Sequence, residues 1–189
     1  MSPGAEAPRS VLRSSSQMEN ESKQLNEQAQ ELMQEERWVD AIKLIESQPS
    51  LFEQHAELSW NLGWAYFKLE NWKAAQVHLS RARGLNPKLA AAWWALGAAQ
   101  MEDGVLDEAE RNVKEALRIR DSSNARGTLA LILMQRGKLG EAEQIHLRGI
   151  ELKPESPDRW ESYACFLDDV GRQGEAEAAY KKARLYRGN

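Results

Sequence analysis

Cysteine is nearly absent from this sequence: Cys165 is the single one among 189 residues. That excludes an intramolecular disulfide and any zinc site built on several thiolates. Histidine is almost as scarce. His55, His78 and His146 stand far apart, form no HExxH pair and do not flank the cysteine, so the spacing of a metal-dependent hydrolase is missing. Long apolar runs are missing as well. Nowhere do about eighteen apolar residues follow one another, and the N-terminal residues hold no hydrophobic core of a signal peptide. A cytoplasmic chain without membrane insertion is the resulting expectation. Neither charge sign dominates, since 25 lysines and arginines stand against 29 aspartates and glutamates for a net charge of −4. The two signs are mixed along the chain, which leaves no concentrated basic stripe for tracking phosphates and excludes nucleic acid as a partner. Glycines occur singly, not in a phosphate-cradling loop. The six prolines lie in the N-terminal tail or near segment ends, no alternating β-branched run appears, and helix formers abound, so the fold is expected to be all-α.

What the chain has instead is periodicity. In Ala56 to Lys88, two helical patterns are joined by a short turn, and the unit recurs until the chain ends. Small residues mark it. Ala41, Ala75, Ala109, Ala142 and Ala176 recur at intervals of 34, 34, 33 and 34 residues. Ala29, Gly63, Gly97, Ala130 and Ala164 stand twelve residues ahead of them, and Gln48, Ala82, Ala116, Gly149 and Ala183 seven residues behind. Small side chains at such places let two helix axes approach closely. A fixed period in this range indicates a solenoid of stacked helix-turn-helix units. Gly104, Gly137 and Gly171 fall where first helices should end, and Pro87 and Pro154 follow second helices and stop them. Ser122 or Ser123 caps the fourth unit, and Ser156-Pro157-Asp158 opens the fifth.

These residues resemble the tetratricopeptide repeat. The second unit carries Leu62-Gly63, Tyr66, Ala75, Leu79, Ala82 and Pro87. The third carries Trp93, Leu96-Gly97, Ala109, Val113 and Ala116, and the fifth Trp160, Tyr163-Ala164, Ala176, Tyr180 and Ala183. The resemblance runs from about Ser22 to Tyr186 and implies an α-solenoid of five repeats wound into a right-handed superhelix. The expected division is a flexible tail over residues 1–21 and a repeat domain over 22–189, with repeats at about 22–55, 56–89, 90–122, 123–156 and 157–189. The first unit departs most from the pattern, with Gln28 and Gln48 at apolar or small positions, and reads as a polar cap. Val11 and Leu12 are the only apolar pair of the tail, and a tethered pair of that kind could plug a groove.

In the second unit Leu58, Leu62, Ala65, Tyr66 and Leu69 fall within one arc of about 100°, the core side, whereas Trp60, Trp64 and Phe67 fall within about 60° on the opposite side. A helix apolar on two sides needs two things to pack against. The resemblance implies that first helices line a concave groove for a partner segment. Register then places Trp60, Trp64, Phe67, Trp94, Met101, Leu131 and Met134 in that groove, with Glu161, Asp168 and Asp169 forming an acidic end. Cys165 falls on the same side. Some members of the family clamp the C-terminal carboxylate of heat-shock chaperones with lysine, asparagine and arginine. Glu57, Trp60, Trp64, Ala91 and Trp94 occupy those places here, so such a clamp is not expected. The expected function is a non-catalytic scaffold or adaptor that binds an apolar peptide or amphipathic helix of another protein, with basic flanking residues toward the fifth unit. The alternative is homo-oligomerisation through the groove or through the last helix, which no capping helix follows. Acidic neighbours such as Glu35-Glu36, Asp107-Glu108 and Asp168-Asp169 read as solvated faces, His146 as a packed helix histidine, and no cofactor or metal is expected.

Overall fold

The computed structural model describes residues 14–188, and among these it contains eleven α-helices and no strand. Val11 and Leu12 lie outside the described residues. The first helix, α1 (Ser15–Gln34), begins well ahead of the boundary anticipated at residue 22. Ser14 is the reason. Its hydroxyl accepts from the Gln17 backbone N–H while the Gln17 side chain accepts from the Ser14 backbone, a reciprocal cap that starts the helix there.

Five helical hairpins follow one another: α1 with α2 (Trp38–Glu46), α4 (Ala56–Lys68) with α5 (Trp72–Leu85), and α6 (Ala90–Glu102) with α7 (Leu106–Ile119). The fourth pairs α8 (Ser123–Gln135) with α9 (Leu139–Leu152), and the fifth α10 (Pro157–Asp169) with α11 (Gln173–Arg187). Each of the first four second helices packs on the first helix of the next hairpin as well as on its own partner. The chain is therefore an α-solenoid. Only the first hairpin departs from this scheme, because Pro49 disfavours a helical Gln48 and cannot donate to the preceding turn. Its second helix stops at Glu46, and a short helix, α3 (Pro49–Phe52), inserts Leu51 and Phe52 into the core. The marker Gln48 thus lies between helices.

The marker residues set the helix spacing. A Cβ on Gly63 would stand 2.6 Å from Leu79 Cγ, and one on Gly97 would stand 2.5 Å from Val113 Cγ2 and 3.0 Å from the Ala109 carbonyl oxygen. Neither first helix could approach its partner this closely with any side chain there. Ala41, Ala75, Ala109, Ala142 and Ala176 are all fully buried. Leu58, Leu62 and Ala65 are buried as their arc requires, but Leu69, placed on the same arc, is 42% exposed. It is the C-cap residue, where the backbone has left the helical path.

All five first helices close in the same way. A backbone N–H reaches back five residues in the bonds Arg37 to Leu32, Asn71 to Tyr66, Val105 to Gln100, Lys138 to Leu133 and Arg172 to Leu167, at 2.8 to 3.0 Å. The residue before each donor adopts a positive φ. In three hairpins that residue is Gly104, Gly137 or Gly171, but in the first two it is Glu36 and Glu70, both at φ 58°. A left-handed non-glycine residue costs about 1–2 kcal/mol, part of which glycine's freedom in the unfolded chain offsets. Glu70→Gly should therefore raise stability by about 0.5–1 kcal/mol, read as a higher urea midpoint, whereas Glu70→Ala should not. Equal midpoints for the two variants would show that the turn is not strained.

Candidate functional site

The first helices α4, α6, α8 and α10 turn one side toward a shared face. Periodicity dictates its content, because the residues opposite each buried stripe are Trp60, Trp64 and Phe67 on α4, Trp94 on α6, Leu131 and Met134 on α8, and Glu161 and Asp168 on α10. The aromatic residues pack on one another. Trp60 and Trp64 stack at 5.9 Å with planes 5° apart, Trp64 and Phe67 at 4.9 Å and 6°, and Trp64 meets Trp94 of the next unit at 5.3 Å. Phe67 continues the ladder edge-on to Trp72. All of these rings are half-buried, so a continuous strip of aromatic surface remains open along the face. The Trp94 indole N–H donates to Thr128 Oγ1 at 2.9 Å, which ties the ladder to α8. The Trp60 indole nitrogen is buried without a hydrogen-bond partner.

Beyond the ladder the face hollows out. A concavity of about 520 Å³ runs from Trp94 across Gly127, Thr128 and Leu131 to Asp158 and Glu161. Beside it a narrower recess of about 140 Å³ is walled by Leu131, Met134, His146 and Phe166, with Cys165 and Asp169 among its lining. Leu131 is 44% exposed and Met134 is half-buried. Met101, assigned to the groove by register, is instead 8% exposed and belongs to the core between the third and fourth units. Its long flexible side chain folds into that core, a freedom that helical register alone does not restrict.

The acidic residues are not equivalent. Glu161 is paired with Arg187 of α11 at 2.6 Å. Asp168 and Asp169 are exposed. The Cys165 thiol lies 3.4 Å from the Tyr180 hydroxyl. That contact, burial and the Asp168 carboxylate all push the Tyr180 hydroxyl upward. Trp38 and Trp72 are half-buried at the inter-helix turns, with the Lys68 ammonium 5.5 Å from the Trp38 ring.

A cluster of buried cations escaped the reading of the sequence. Arg126 and Arg159 are 7% and 6% exposed, and both donate to Asp121, Arg159 at 2.6 Å. Arg159 also donates to the Gly149 carbonyl, and Arg126 lies so close under Gly149 that a Cβ there would stand 2.7 Å from its Nε. The signal available was positional: Arg126 lies four residues before the small marker Ala130, where the neighbouring units carry tryptophan. Among the described residues no group of three or more His, Cys, Asp and Glu could hold a metal ion, and no helix is long and apolar enough to cross a membrane.

Residues 32–101 match the family described as tetratricopeptide repeat. No curated protein matches the sequence. Several solved structures share the fold. PilF of Pseudomonas aeruginosa superposes with a TM-score of 0.74 at 15% identity, over 91% of this chain and 79% of that one. MamA gives 0.67 at 19% identity, over 84% and 94%. The second tetratricopeptide domain of human RPAP3, solved in complex with an HSP70 peptide, gives 0.58 at 20% identity, over 61% and 97%.

His146 supplies a test of how well this region is packed. It lies against Tyr163 and Phe166, and burial first, then the Arg126 guanidinium, push its imidazole down from 6.5 to about 4. Between about pH 6.5 and 4 the unfolded chain therefore binds the proton that the folded chain refuses. The stabilisation is full above pH 6.5 and lost as pH falls through that window, by up to about 3 kcal/mol. His146→Phe should flatten the pH dependence of the urea midpoint across the window relative to the parent chain. Parallel profiles would mean that the imidazole is not held neutral.

Proposed function

Because the chain is a tetratricopeptide-repeat protein, we propose that it is a non-catalytic adaptor that holds an amphipathic helix or apolar peptide of another protein along the face of its first helices. The observation that carries this reading is the open aromatic and aliphatic strip from Trp60 through Trp64, Phe67 and Trp94 to Leu131 and Met134. It continues directly into a hollow with acidic residues at its far end. A strip of this kind on a folded chain marks an interaction surface. Tryptophan suits it as a rigid anchor and methionine as an adaptable one. Asp158, Asp168 and Asp169, exposed beside the hollow, favour lysine or arginine flanking the apolar anchors. The RPAP3 domain in complex with an HSP70 peptide and the first tetratricopeptide domain of Spaghetti (RPAP3), bound to an HSP90 peptide, support peptide recognition by this fold. Those peptides end in the acidic sequence EEVD, opposite in charge to the partner inferred here. The difference follows from tryptophan, alanine and glutamate standing where a carboxylate clamp requires cations and amides.

Truncating a central anchor in such a face costs about 2 kcal/mol or more of binding free energy, roughly thirtyfold in affinity. Trp64→Ala and Leu131→Asp variants that retain the parent helicity should each lose the proteins captured by the parent chain from a lysate, and should weaken the isolated complex to that extent. Capture unaltered by both substitutions would move the site to the second helices or the turns.

A further inference from the structure

Unit four departs from its neighbours at one buried position. Counting four residues back from the small markers Gly97, Ala130 and Ala164 gives Trp93, Arg126 and Trp160. The two indoles are held alike, Trp93 donating to the Pro87 carbonyl at 2.8 Å and Trp160 to the Pro154 carbonyl at 2.7 Å. Each ring is covered by a cation. The Arg83 guanidinium, one residue after the marker Ala82, lies 4.9 Å from the Trp93 ring, and the Lys182 ammonium, one residue before Ala183, lies 5.8 Å from that of Trp160. Around Arg126 the equivalent positions are Leu117, one residue after Ala116, and Arg148, one residue before Gly149. Both of them line a cavity of about 200 Å³, together with Arg126, Asp121, Ile145 and Leu152. By register, the cavity stands at the place where units three and five hold a half-buried indole.

Its charges are unbalanced. Arg126 and Arg148 line it, while Asp121, the one carboxylate in the lining, is divided between Arg126 and the buried Arg159. Arg126 Nη2 is buried without a hydrogen-bond partner, and Arg148 has no ion pair among the described residues. A buried guanidinium that lacks its full complement of acceptors is costly, and an added carboxylate would offset that cost. The walls are aliphatic, and Leu152 is 61% exposed at the rim.

We propose that this cavity binds an aromatic carboxylate. The ring occupies the indole space between Leu117, Ile145 and Leu152, and the carboxylate pairs with Arg126 and Arg148. Two sources share this chemistry, a free aromatic acid and the C-terminal aromatic residue of a peptide. The site lies between α7, α8 and α9 and shares no residue with the aromatic strip, so it stands or falls separately from the adaptor reading.

Titration calorimetry of the full chain at low salt with indole-3-acetate, its neutral amide and N-acetyl-glycyl-tryptophan tests the proposal. Saturable binding of indole-3-acetate is expected with Kd below about 1 mM, at least tenfold weaker for the amide. Arg126→Trp, which fills the cavity with the residue of units three and five, should abolish it. Arg148→Met, at an exposed position that does not threaten the fold, should weaken it about tenfold, so the result does not hinge on the buried variant. A peptide that binds as well as the free acid identifies a C-terminal residue as the source, and a peptide that fails identifies a small acid; both outcomes support the site. Equal binding of acid and amide, or an affinity unchanged in Arg148→Met, overturns it.

Discussion

Close approach between the two helices of each hairpin is the constraint on which the rest of this structure depends. Gly63 against Leu79 and Gly97 against Val113 leave no room for a Cβ, and the buried alanines of the second helices continue the same tight contact. With the axes that close, a first helix can bury only one stripe within its own hairpin. Its second stripe must find the next unit or solvent, and stacking becomes the only way to complete a core. The single residues Leu62, Leu79 and Leu96 therefore belong to interfaces as much as to any one unit.

The same constraint creates the face proposed to bind a partner. Side chains opposite the buried stripe on α4 are too large to be covered by a single neighbouring helix, so Trp60, Trp64 and Phe67 stack along the helix and lean on Trp94 of the next one. Stacking removes part of their surface from water and holds them rigid, which lowers the ordering cost of any later contact. The ladder is thus a structural element and an exposed apolar surface at once. Further along, Gly127 and Ala130 on α8 remove bulk, and the face deepens into the hollow between Leu131 and Asp158.

Unit four breaks the pattern in several linked ways. The period shortens by one residue before it, Ser122 caps α8 by accepting from the Ala125 backbone, and Arg126 takes the tryptophan position. Gly149 belongs to the same set, since a larger residue there would strike the Arg126 side chain. Asp121, in the shortened connection, is what makes two buried guanidinium groups tolerable, because each finds a carboxylate oxygen. The Arg126 charge also reaches His146 and, after burial, helps to keep that imidazole neutral.

Much of this was legible from residue spacing. The five units, their helical hairpins, the glycine turns and the opposed stripes of α4 follow from periodicity and steric size, which act locally and need no knowledge of the neighbours. Other features depended on distant contacts. Register put Met101 on the open face, but a flexible side chain goes where space exists, and only the packing of units three and four provides that space. Glu36 and Glu70 bear left-handed turns that composition would assign to glycine, because the hydrogen bonds closing the helix outweigh the local strain. The reach of α1 back to Ser15 rests on a reciprocal cap whose serine lay in an apparently polar tail. The repeat, the fold class and the residues facing away from each core stripe are thus properties of the sequence alone, since helical geometry is nearly independent of context. Burial of Arg126, the sharing of Asp121 and the cavity left in place of an indole were decided by tertiary structure, because charge pairing and void volume exist only between elements.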